Sequence, residues 1–190
     1  MFTLFINDLP KSVQSCCKVF ADDTKMYDSG CNCTKTQEDI YRLQEWSDML
    51  NLYFNVTKCK VMHIGRKNRE ADNKMKVNED EYRSIAICNE EKDIGVIFDT
   101  SFSFDVHIKS CINKANKMMG IIKRTFTFLD KGIFSDLYEA LVRPHLVCSN
   151  VIWSPYLKKL SVTIERVQRR ATRLISTLKG FEPHRETEKN

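Results

Sequence analysis

The chain has 190 residues, 42% of them hydrophobic and 29% charged, with a net charge of +5. That composition describes a soluble globular protein of one or two domains, and the lack of any run of about 18 consecutive apolar residues excludes a membrane role by a spanning helix. Met1 to Ile6 is apolar but lacks the cationic start and long apolar core of a signal peptide, so an intracellular protein that is not secreted, nuclear or cytoplasmic, is expected.

Charge and cysteines narrow the classes further. Residues 1–106 carry 14 Lys and Arg against 18 Asp and Glu, residues 107–180 carry 14 against 4, and the last ten carry 2 against 3. Such a basic block points to a polyanion whose phosphates supply sequence-independent, salt-sensitive affinity. A solvated helical surface is the alternative. Eight cysteines without an export signal read as reduced thiols. Their tight spacings are Cys16-Cys17, Cys31-Asn32-Cys33 and Cys59 with His63, and none repeats the paired arithmetic of a structural zinc site.

In chain order, Lys18-Val19-Phe20 and Thr24-Lys25-Met26-Tyr27 flank Ala21-Asp22-Asp23, which predicts a hairpin with two carboxylates at its tip. Phe20 reads as core or strand packing. Ile40, Leu43, Trp46 and Leu50 recur at helical spacing and predict an amphipathic helix from about Thr36 to Leu50, with Thr34 or Thr36 as N-cap and Asn51 near the stop. This helix is expected to pack on the sheet that carries the aspartates. Tyr53 to Val56 and Cys59 to Ile64 read as short strands, or as one strand with a bend, closed by Gly65 to Asn68. Arg69 to Glu81 is charged and without period, which predicts an exposed loop. Tyr82 to Cys88 and Asp93 to Phe98 read as a hairpin around Asn89-Glu90-Glu91-Lys92.

From about Asp105 the period becomes helical. Ile108, Ile112, Ala115, Met119 and Ile122 mark one face, with Lys109, Lys114, Lys117, Lys123 and Arg124 largely on the rest. A second helix is predicted from about Gly132 to Val142, stopped near Pro144. A third, from about Val162 to Leu178, places Ile164, Val167, Ala171, Leu174, Ile175 and Leu178 on one stripe and leaves Arg166, Arg169, Arg170 and Arg173 outside it. Trp46 and Trp153 read as core anchors.

Asp22 and Asp23 are the candidate chemical centre. Mg²⁺ takes hard oxygen ligands in a rigid octahedron and commonly binds one or two carboxylates plus substrate phosphates. The chemistry implied is metal-assisted phosphoryl or nucleotidyl transfer. Asp is also a preferred turn residue, so the pair alone does not decide.

More of the chain bears on the choice. Leu4-Phe5-Ile6-Asn7-Asp8-Leu9-Pro10 precedes the acidic pair; Leu43-Gln44-Glu45-Trp46-Ser47 and Phe54-Asn55-Val56-Thr57-Lys58-Cys59-Lys60-Val61 follow it. Then come Glu91-Lys92-Asp93-Ile94-Gly95-Val96, Lys114-Ala115-Asn116, Leu141-Val142-Arg143-Pro144, Val151-Ile152-Trp153-Ser154-Pro155 and Glu165-Arg166-Val167-Gln168-Arg169-Arg170-Ala171-Thr172-Arg173. In this order, from about Phe2 to about Ile175, they resemble the C-terminal part of the reverse transcriptase of jockey-like non-LTR retrotransposons.

The resemblance implies an α+β chain: a partial polymerase palm of antiparallel hairpins with a packed helix over residues 1–104, an all-helical thumb-like bundle over 105–180 and a polar tail over 181–190. It implies RNA-directed DNA synthesis with Mg²⁺, Asp22 as principal metal ligand, Asp23 as its neighbour, and Lys58 offsetting charge near the leaving pyrophosphate. Phe20 becomes a nucleotide neighbour, and Ile94-Gly95 a primer-grip-like turn whose glycine permits close backbone approach. Lys114, Lys117, Lys123, Arg124, Arg166, Arg169, Arg170 and Arg173 would meet the RNA template and DNA primer. Lys58 and Gly95 also have plainer readings, as a solvated lysine and a glycine at a strand bulge.

The family's core needs another metal-binding Asp on an earlier strand, and two-metal catalysis holds its ions roughly 4 Å apart. This chain alone is therefore expected not to polymerise, and a further polypeptide segment is implied to supply the rest of the palm. The competing expectation is a non-catalytic nucleic-acid-binding remnant of a mobile element.

Overall fold

The computed structural model describes residues 5–28, 33–65, 71–78, 81–126, 129–155 and 157–177. Cys31, Asn32, Arg66 to Asn68, Leu178 and the tail 181–190 lie outside the described residues, as does the side chain of Ile175. The chain is α+β, with short two-stranded sheets and a long helix in the first half and helices in the second. It forms two compact units, Met1–Glu91 and Lys92–Asn190, dividing before the change of period near residue 105. Among the described residues no helix is long and apolar enough to cross a membrane.

In the first unit, strands β1 (Cys16–Phe20) and β2 (Asp23–Tyr27) pair antiparallel with Phe20 opposite Asp23, so Ala21-Asp22 is a two-residue turn. Alternation along the strands turns Cys17, Val19 and Met26 inward, where they meet Leu43 and Trp46 of helix α1 (Cys33–Leu50) together with Ile6 and Leu9. Phe20 falls on the outward face of the strand and is 60% exposed, which corrects its reading as core or strand packing. Helix α1 stops at Asn51, which takes a left-handed φ of 52°. The Leu52 N–H then reaches the Ser47 carbonyl at 3.0 Å and the Asn51 N–H reaches that of Asp48 at 3.3 Å, the double bond of a Schellman end.

Beyond α1 the structure departs from the expected strands. Tyr53 to Val56 is not a strand, because the Asn55 carboxamide builds a turn by accepting the Thr57 N–H at 3.2 Å and its hydroxyl at 2.6 Å. Only Lys60–Val61 remains extended, as β3. The expected exposed loop over Arg69 to Glu81 instead holds most of a hairpin, β4 (Lys74–Asn78) with β5 (Glu81–Ser84). The second flank of α1 creates it. Gln37 donates to the Lys74 carbonyl at 2.7 Å and accepts the Lys74 N–H at 2.8 Å, acting as a neighbouring strand would, and Gln44 donates to the Lys76 carbonyl at 3.1 Å. Met75 is thereby drawn against Ile40 and Ile85. Strand β6 (Ala86–Ile87) returns parallel to β3.

The next hairpin turns later than expected. Strands β7 (Glu90–Asp93) and β8 (Val96–Asp99) flank Ile94-Gly95, so Glu90 to Lys92 lie in a strand and not in the turn. Both turn residues have positive φ, 42° and 87°, as the type I′ turn that matches strand twist demands.

In the second unit, α2 (Asp105–Thr125) buries the predicted stripe, with Ile108, Ala115 and Ile122 almost wholly covered by Phe134, Val142, Leu146, Trp153 and Val167. Asp99 sets its entry. Its carboxylate accepts the N–H groups of Ser101, Ser103 and Phe104 at 3.0, 3.0 and 2.7 Å. Those donors outweigh burial, which acts in the other direction, and hold its pKa at about 2. Pro144 does not end the second predicted helix. Helix α3 (Lys131–Leu137) widens into a π-turn over Tyr138–Val142 and continues as α4 (Arg143–Val147). The Arg143 N–H bonds the Tyr138 carbonyl, so the wider turn accommodates a ring that would clash in a regular helix. Helix α5 (Asn150–Trp153) delivers Trp153 to the core, and α6 (Lys158–Thr177) begins before Val162, with Leu160, Val167 and Ala171 inward.

Candidate functional site

At the β1–β2 tip, Ala21 holds a left-handed φ of 54°, a conformation that costs a non-glycine residue on the order of 1 kcal/mol. Asp22 occupies the turn and Asp23 starts β2 on the outward face; both are exposed. Neither enters a hydrogen bond or ion pair among the described residues, so both carboxylates are available to a cation. Mg²⁺ commonly takes one or two carboxylates, with water and phosphate oxygens completing its shell. Lys18 and Lys25 stand opposite one another on the same outward face as Asp23. Among the described residues no three His, Cys, Asp or Glu side chains gather as metal ligands.

Lys58 is exposed on the Asn55 turn, its N–H bonded to the Asn55 carbonyl at 3.0 Å. The Asn55-Val56-Thr57-Lys58-Cys59 motif is thus a compact turn that presents a lysine. No hydrogen bond or ion pair among the described residues joins Lys58 to Asp22 or Asp23.

At the open end of the same hairpin, away from the acidic tip, lies a residue that periodicity did not single out. Asp39 is fully buried and accepts the N–H groups of Gln14 at 2.9 Å and Ser15 at 2.7 Å, with the Arg42 guanidinium at 2.6 Å. Burial alone would raise its pKa; the backbone donors and Arg42 prevail and hold it at about 2. This carboxylate fastens the entry of β1 to α1. Its sequence signal is an Asp sharing the apolar stripe of Leu43 and Trp46 at helical spacing.

The basic helical residues divide into two groups. Arg166, Arg169, Arg170 and Arg173 follow i, i+3, i+4, i+7 spacing and are all exposed on one flank of α6. Arg170 reaches across to α2, donating to Asn116 Oδ1 at 2.8 Å. Asn116 lies on the flank of α2 that holds Lys109 and Lys123, with Lys117 and Arg124 a step further out. The two helices therefore present adjoining basic flanks. Lys114 lies on the opposite flank, nearer His107 and Cys111; an open depression of about 420 Å³ on the outer face of α2 has Lys109, Lys114 and Lys117 on its border. Arg169 pairs with Glu165 at 2.9 Å and Arg124 donates to the Gly120 carbonyl at 3.2 Å, exposed bonds that orient side chains more than they stabilise.

At the second hairpin tip, Ile94 is 64% exposed and strained, since a β-branched residue with positive φ is an outlier. A Cβ on Gly95 would touch nothing within 4 Å, so its φ of 87° and not crowding requires glycine there. At Cys17, Cys59, Cys88 and Cys111 thiolate chemistry is disfavoured, because burial pushes each above the ordinary thiol pKa, whereas a nucleophilic Cys needs the thiolate. Comparison with known protein families, with curated proteins and with solved structures finds no match to this chain.

Proposed function

We propose that this chain is the late-palm and thumb portion of a jockey-like non-LTR retrotransposon reverse transcriptase, and that on its own it holds nucleic acid without copying it. The observation that carries this reading is the Arg170 to Asn116 hydrogen bond, which joins the arginine flank of α6 to the lysine flank of α2. Guanidinium groups match phosphate in bidentate geometry, and a row of cations tracks a phosphate backbone without reading its bases. In the parent enzyme the RNA template and DNA primer would lie along this face, with Lys114 reached from the outer depression.

The strained tips support the rest of the reading, because non-glycine residues held at positive φ gather at functional turns. Ala21 would aim Asp22 and Asp23, and Ile94-Gly95 would offer backbone to the primer end. Mg²⁺ held there would stabilise charge on the transferring phosphates. Lys58 would offset charge on the leaving pyrophosphate. Among the described residues no third carboxylate joins the pair; in this reading another polypeptide segment would supply it, and no polymerisation is expected from this chain without it.

Fluorescence anisotropy with a labelled RNA–DNA hybrid across a salt series tests the binding half. The log affinity should fall with log salt by about 0.9 per phosphate neutralised, and replacing Arg166, Arg169, Arg170 and Arg173 by Ala should flatten the slope by about one for each phosphate left without its arginine. Asp22→Asn should leave binding unchanged. Affinity indifferent to salt sinks the proposal. Primer extension on a poly(rA) template by this chain, abolished by Asp22→Asn, would overturn the inactive assignment.

A further inference from the structure

His107, in the first turn of α2, faces inward and is 5% exposed. Its Nδ1 accepts the Ile97 N–H from β8 at 3.2 Å, which places the imidazole proton on Nε2. That Nε2 lies 3.4 Å from Cys111 Sγ, so the sulfur is the acceptor. Trp153 packs against the ring at a centroid distance of 5.4 Å and an angle of 63°. The Trp153 indole N–H is itself tied to the Cys148 carbonyl at 2.7 Å. One neutral ring therefore connects β8, α2 and α5.

We propose that His107 is an acid-sensitive latch of the helical unit: neutral, it clasps β8 and Trp153 to α2, and protonated, it lets them go. A proton on Nδ1 would face the Ile97 N–H, setting donor against donor and leaving both without a partner. Among the described residues no carboxylate acts on the ring to offset the new charge. From α2, Lys114 adds a second cation, and the helix N-terminus is itself positive. Asp105 stands two positions earlier, off the ring's side of the helix, and leans to Lys109 at 4.0 Å. From β8, the Asp99 carboxylate is engaged by Ser101, Ser103 and Phe104. Cys111 stays a neutral thiol because burial raises its pKa, and before α5 the Cys148 carbonyl is occupied by Trp153.

Burial first, and Lys114 second, push the His107 pKa below the ordinary 6.5. The unfolded chain then binds the proton more readily than the folded one. Stability from this group is complete above 6.5 and falls as pH descends from there toward the folded pKa. The strand released is the one that follows the Ile94-Gly95 turn, so acid would free the hairpin from the helices behind it.

The test uses the full chain in two measurements: an NMR titration of the His107 ring, and thermal unfolding from about pH 8 to about pH 5, the window in which imidazole changes charge. His107→Asn serves as the comparison, since Asn Oδ1 can accept the Ile97 N–H without titrating. The expected midpoint of His107 lies below 6.5. The Tm of the unaltered chain should fall with acid more than that of His107→Asn, by about 5 °C for each unit of depression. A midpoint at or above 6.5, or parallel Tm curves for the two proteins, overturns the latch. If His107→Asn fails to fold, the titration of the unaltered chain decides alone.

Discussion

The two units solve the same problem by different means. Residues before Lys92 spread their apolar side chains over two small clusters on either flank of α1, whereas the later residues gather theirs into one continuous core under α2. Two-stranded sheets are marginal in water, and in the first unit they are fastened by polar side chains that reach far along the sequence: Asp39 to the entry of β1, Gln37 and Gln44 to the edge of β4. In the second unit packing dominates, and polar groups such as the half-buried Asp99 and the buried His107 refine its joints. Small hairpins that carry function at their tips thus depend on single hydrogen-bonding residues, while a helical surface built on a large core tolerates charge changes.

The sharpest test of that contrast is Phe134→Ala, which empties a fully buried position and should cost about 3–5 kcal/mol in urea unfolding followed by helical circular dichroism. A loss below about 1 kcal/mol would break the comparison. Next is Asp39→Asn in the first unit. The Asp39 carboxyl is held at about 2 against an ordinary 3.8, so its stabilisation is complete above 3.8 and is lost as pH falls through 2. The displacement corresponds to about 2 kcal/mol, and the variant should lose that part of the acid dependence.

Smaller effects sharpen the same contrast. Gln37→Ala should cost about 1 kcal/mol by uncovering the edge of β4, visible as faster hydrogen exchange at the Lys74 amide; unchanged exchange would show that the hairpin stands without the helix. Ile94→Asn should stabilise by roughly 0.5–1 kcal/mol, because Asn tolerates the positive φ that Ile resists. A loss of stability there would mean that Ile94 packs well enough to outweigh its strain.

How far the fold could be read in advance followed the range of the interactions. The stripe Ile108, Ile112, Ala115, Met119 and Ile122 announces α2 because its period is local, and the stop of α1 at Asn51 is legible for the same reason. The hairpin β4–β5 stayed hidden because its support comes from Gln37, which reaches Lys74 across 37 positions of chain. Ile94 reads as a strand residue by its branched side chain, yet the turn forms there because Val96 must enter the helical core. Of the candidate site, the acidic tip and the arginine spacing were legible; Asp39 and the joining of the two basic flanks were not.

By itself the sequence determined the α+β composition, the faces of the long helices, the exposed carboxylates at the first hairpin and the i, i+3, i+4, i+7 run of arginines. Only the tertiary structure decided that Arg170 meets Asn116 across 54 positions and that Pro144 lies within a continuing helix. The physical reason is that local periodicity records which side of an element is apolar, while the partner covering that side is chosen by packing and hydrogen bonds between segments distant along the chain.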